Sequence, residues 1–103
     1  MKLIEKIVDY IDEELEGAEH YAKCAVKHKA DHPQLAKAFF EMSQDEMKHV
    51  HMLHDEVVKI IDEHKRTKGE PPAAMMAVWE YVHGKHIKEA NEVRRIQDEY
   101  RGM

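Results

Sequence analysis

Glu46-Met47-Lys48-His49 sets a carboxylate and an imidazole three residues apart, a spacing that on a helix puts both on one side, about one turn from each other. Carboxylate oxygen and imidazole nitrogen together suit a divalent cation, and Glu-x-x-His is the pair that helical bundles use in carboxylate-bridged metal sites. The bare pattern carries little weight. With 14 Glu and 9 His among 103 residues, about one match is expected by chance, and Glu80-His83 is a second instance. Position is more telling: Glu46 and His49 occupy slots of an apolar stripe, as does Glu14 upstream. A carboxylate in such a slot without a partner is costly to bury, so three ionisable groups there need a reason.

The elements that must position them are helices. Ile4, Ile7, Ile11, Glu14, Ala18, Tyr21 and Ala25 recur at spacings of three and four, which predicts a first helix over about residues 2–29. Ala30-Asp31-His32-Pro33-Gln34 interrupts it, with Asp31 in position to cap the next helix, Pro33 in its first turn and Gln34 at the capping-box position. Leu35, Phe39, Met42, Glu46, His49, Leu53, Glu56 and Ile60 carry the stripe through a second helix, about 32–67. Gly69 suits the position just past its end, and Pro72 the first position of a third helix over about 73–101. That helix places Met75, Trp79, Val82, His86, Glu89, Val93, Ile96 and Tyr100 on one face. The expected architecture is all-α, a long antiparallel hairpin plus a third helix, in one domain.

Helical rise then gives depth. A turn centred near residue 31 sets Glu14 opposite the stretch between Glu46 and His49, so three potential ligands converge at one level. A Glu and a His inside a bundle can also simply hydrogen-bond to each other, but three groups in register favour a ligand set. A turn near residue 70 brings residues 91–94 of the third helix to the same depth, which makes Glu89, and His86 a turn further away, additional candidate ligands. Glu80 and His83 are too far along the axis to join. His20, His28, His32, His51, His54 and His64 lie off the stripe and read as surface residues, and Cys24 reads as a small apolar residue in a helix.

Glu14-Leu15-Glu16-Gly17-Ala18-Glu19-His20-Tyr21 followed by Glu46-Met47-Lys48-His49 resembles the first half of the ferritin-like superfamily, which includes rubrerythrins, ferritins and encapsulated ferritins. The resemblance covers about residues 5–60. It implies that Glu14 and Glu46 are carboxylate ligands, His49 the nitrogen ligand and Tyr21 a neighbour of the site, with iron as the metal and ferrous oxidation by O2 or peroxide as the activity. The ligand set by itself also accepts manganese or zinc. A full di-iron bundle needs two lone glutamates and two Glu-x-x-His pairs, so this chain carries half, and a twofold pair of chains would supply the rest. The encapsulated ferritins, which it resembles in this respect, carry a shell-docking tail that Gln97-Asp98-Glu99-Tyr100-Arg101-Gly102-Met103 does not match. The alternative, from a different class, is a non-catalytic helical interaction or assembly module that keeps such a fold.

Composition agrees with long helices and narrows the partners. Charged residues make up 36% and apolar residues 43%, while Gly and Pro number only 4 and 3. The net charge of −5 is spread without a basic block, so nucleic acid is not expected. No stretch reaches membrane-spanning length, acidic residues enter the N-terminal stretch before any apolar run forms, and a single cysteine suits a reducing compartment, so the expectation is a cytoplasmic protein. A chain of this size with an amphipathic hairpin is expected to form a homodimer or a larger even oligomer.

Overall fold

A computed structural model, which describes residues 2–103, contains three helices: α1 (Lys2–His28), α2 (Pro33–Lys68) and α3 (Ala73–Gly102). No strand occurs among the described residues. The molecule is a rod of 56 × 18 × 18 Å, its length set by the 36 residues of α2. The helices run up, down and up, and α3 lies mainly along α1.

The turns follow their local chemistry with two departures. His32, not Asp31, precedes α2, and no side chain caps it, while Pro33 in the first turn lacks an N–H and so leaves one donor fewer to satisfy. Gly69 ends α2 with φ +86, a left-handed backbone that glycine adopts without strain. Pro72 stands one residue before α3 instead of in it, accepting the Met76 N–H at 3.1 Å.

The core corrects the stripe. On α1 the buried residues are Ile4, Ile7, Ile11, Leu15, Ala18, Ala22 and Ala25, so Leu15 takes the place read for Glu14, and Ala22 that of Tyr21. On α2 they are Ala36, Ser43, Val50, Val57 and Ile61, each one residue after a member of the expected stripe. One residue is a rotation of about 100°. Small side chains at Ala36 and Ser43, opposite Ala18, Ala22 and Ala25, let the helices approach closely, and α3 covers that face. Leu35 and Met42 are left 46% and 40% exposed. On α3 the stripe holds: Trp79, His86, Val93 and Ile96 are buried, joined by Gln97.

One polar contact ties the three helices at a single level. Ser43 Oγ is fully buried, donates to Ala18 O at 2.7 Å and accepts from Gln97 Nε2 at 2.9 Å. A buried hydroxyl with both partners in place avoids the penalty of an unmade hydrogen bond.

Candidate metal centre

Two long helices hold the centre on the side of the hairpin turned away from α3. Glu14 on α1 and Glu46 and His49 on α2 are the one group of three or more candidate ligands among the described residues whose atoms all lie within 4.8 Å of one another. His49 Nδ1 lies 3.3 Å from Glu14 Oε2 and 3.8 Å from Glu46 Oε1. The depth reading therefore holds, while the burial reading does not: the side chains of Glu14 and Glu46 are 28% and 25% exposed, and that of His49 is 50% exposed. The three groups line an edge of the hairpin seam, open to solvent, because α2 turns Val50 inward in place of His49.

Charge at the centre is unbalanced. The Glu46 carboxyl is pushed up to about 7, first by the hydrogen bond its protonated form makes with Glu14, then by burial and by the negative charge of Glu14. Two carboxylates this close hold a proton near neutral pH, and a cation lying among the oxygens and the imidazole would take its place. That donor set, two hard oxygens and one borderline nitrogen, fits iron or manganese and accepts zinc.

Gly17 was not singled out from the sequence, yet it shapes the centre. A Cβ built there would stand 3.2 Å from Glu46 Oε2, so the missing side chain clears the space into which the Glu46 carboxylate leans. A glycine in mid-helix costs roughly 1 kcal/mol against alanine, and this was the available signal.

Tyr21 lies two helical turns from Glu14 on the same side of α1, stacked on Phe39 at 6.1 Å between ring centroids, and Phe39 stacks in turn on His28. This aromatic row lies toward the α1–α2 turn, with Tyr21 about 10 Å along the helix from Glu14, and no contact joins Tyr21 to the three candidate ligands. His86 and Glu89 do not join the centre. His86 is buried against Asp12, with Nε2 2.7 Å from Oδ1, and Glu89 lines a cavity of about 280 Å3 with Asp12, Glu16 and Lys85. Asp12 and Glu16 are each two residues from Glu14, hence about 160° from it around α1, so the level expected of α3 was close and the face was wrong. The carboxyl of Glu89 is raised chiefly by burial, then by Glu19 and Asp12.

No helix among the described residues is long and apolar enough to cross a membrane. Comparison of the chain with protein-family models, with curated proteins and with solved structures yields no match.

Proposed function

We propose that the chain is a ferritin-like metal-binding protein in which Glu14, Glu46 and His49 of two copies, related by a twofold axis, form a di-metal centre, with iron as the metal. The observation that carries this is the convergence of the three side chains within 4.8 Å on the open face of the hairpin, where a second copy has access. One chain offers three ligand groups, and two offer the two lone glutamates and two Glu-x-x-His pairs of a carboxylate-bridged pair of ions. Exposed Leu35 and Met42 lie on the same face of α2, so docking a second hairpin there buries apolar surface as it completes the centre.

In this reading Glu46 would be shared by both ions, and Glu14 and His49 would each hold one; the residues would orient ferrous iron as substrate and leave part of its surroundings open to O2 or peroxide. Bound iron supplies the redox change, and the carboxylates favour the ferric product. The test is anaerobic loading of the metal-free protein with ferrous iron, then exposure to O2 with the ferric absorbance followed. About one iron per chain, oxidised faster than in buffer and not at all by Glu46→Ala with His49→Ala, is the expected result. The exposed apolar residues favour a second reading, a helical interaction module without turnover, and a protein that retains no metal after loading would select it.

A further inference from the structure

Two His-x-x-His pairs, His51-Met52-Leu53-His54 on α2 and His83-Gly84-Lys85-His86 on α3, face each other across antiparallel helices. All four imidazoles line one cavity of about 160 Å3, between α2 and α3 and with Ile11 of α1 at its base. The surface role read for His54 is thereby corrected: its ring stacks on His83 at 4.5 Å and on Trp79 at 5.9 Å between centroids. Trp79 and His83 lie almost parallel, at 2° and 5.4 Å.

His86 forms the inner wall. It is 6% exposed, and its Nε2 is engaged by Asp12 Oδ1 at 2.7 Å, which leaves Nδ1 as the nitrogen with no carboxylate on it. A carboxylate on one ring nitrogen is how proteins orient a histidine whose other nitrogen binds a metal. His51, exposed at the rim, provides access from solvent.

We propose that His51, His54, His83 and His86 form a second metal site, for a borderline divalent ion such as zinc, nickel or copper, which ties α3 to α2. Imidazole nitrogens suit these ions, whereas the hard carboxylates of Glu14 and Glu46 suit iron and manganese, so the two sites sort metals by donor type. Three imidazoles and a water, or four imidazoles, satisfy tetrahedral zinc. With the rings stacked, no three of the four histidines bring ligand nitrogens within 4.8 Å of one another, so binding must turn the rings edge-on about their terminal torsions, which are broad and soft. The site is independent of the Glu14–Glu46–His49 centre.

Cobalt(II) is the probe, since a tetrahedral nitrogen site gives it intense visible bands. The untagged chain carrying Glu46→Ala and His49→Ala, which lacks the first centre, is titrated with cobalt(II), then with zinc. We expect about one cobalt per chain with tetrahedral bands that zinc abolishes, and a melting temperature raised by zinc. Adding His54→Ala and His83→Ala removes the bands and the zinc-dependent shift while the helical circular dichroism persists. If that variant does not fold, His54→Gln with His83→Gln keeps the side-chain bulk and gives the same loss. No tetrahedral bands in the first protein, or bands unchanged after both histidines are replaced, overturns the proposal.

Discussion

Gly17 and Glu46 fit each other across the α1–α2 seam: a Cβ on the glycine would stand 3.2 Å from the glutamate's Oε2. That separation is tighter than ordinary van der Waals contact, so the carboxylate of any Gly17→Ala protein must shift by a few tenths of an ångström. The helix itself gains from the change, by up to about 1 kcal/mol. Gly17→Ala is therefore expected to raise the melting temperature of the metal-free protein and to weaken metal binding by about tenfold, the factor that accompanies about 1.4 kcal/mol. Calorimetric titration beside a thermal melt reads both; a variant that is more stable and binds metal as tightly as the parent would show that the glycine does not serve the centre.

The raised Glu46 carboxyl gives the metal-free protein a pH signature. Its folded value is about 7 against an ordinary 4.5, so between those limits the folded chain binds more protons than the unfolded one. The stabilisation it contributes is complete below about pH 4.5 and is lost as pH rises through 7. Glu46→Gln removes this dependence. Urea unfolding of metal-free protein at pH 5 and pH 8 should show a smaller loss of stability for the glutamine variant than for the parent. Metal reverses the sign, since the ligating form is deprotonated, and affinity for added metal rises with pH over the same interval.

The axial placement of residues was legible because it rests on helical rise and the positions of two turns. Glu14 meets His49, Ala18 meets Ser43, and on α3 Tyr100 stacks on Phe40 at 4.6 Å, as a hairpin measured from those turns requires. Rotation about the helix axes was harder to read. On α2 the pairs Leu35/Ala36 and Met42/Ser43 offer two adjoining stripes, and hydrophobicity favours the larger members. Packing three helices closely selects the smaller ones, which is why the Glu14–Glu46–His49 group lies at an edge and not in the core. The reason for Gly17 lies on another helix, so no local pattern reveals it.

Rotation also separates the acids of α1. Glu14 belongs to the centre, whereas Glu16 lines the cavity shared with His86 and Glu89 on the α3 side. Glu14→Gln is expected to abolish ferrous oxidation, because a neutral amide does not offset the charge of the ion that Glu14 would hold. Glu16→Gln should retain most of it. Stopped-flow absorbance after mixing with O2 checks the pair, and the reverse pattern would mean that the metal sits on the α3 side.

Ser43 joins all three helices, and its loss has a defined cost. Ser43→Ala leaves Gln97 Nε2 without its acceptor and Ala18 O without the hydroxyl, both in a buried setting. Removal of one partner from buried hydrogen bonds costs about 1–3 kcal/mol. Urea unfolding should report a loss in that range, and Ser43→Ala with Gln97→Leu, which removes both polar partners, should recover part of it.

The most demanding prediction joins assembly to metal. If two copies share the centre, protein concentration and metal affinity are linked, because each ion's ligands come from both chains. Leu35 and Met42 lie on the open face of the hairpin, exposed, and neither belongs to the Glu14–Glu46–His49 group. Met42→Glu with Leu35→Glu puts like charges on both copies where the proposed dimer would bury them, and the monomer, in which both positions face solvent, should stay folded. Light scattering is expected to show the parent as a dimer or larger even assembly and this variant as a monomer. Iron binding by the variant should then fall sharply, although Glu14, Glu46 and His49 are all intact. In the parent, apparent iron affinity should rise with protein concentration until the dimer is fully formed, then stay constant. A monomeric variant that binds iron with the parent's affinity and stoichiometry would place a complete mononuclear site on one chain and remove the second copy from the centre.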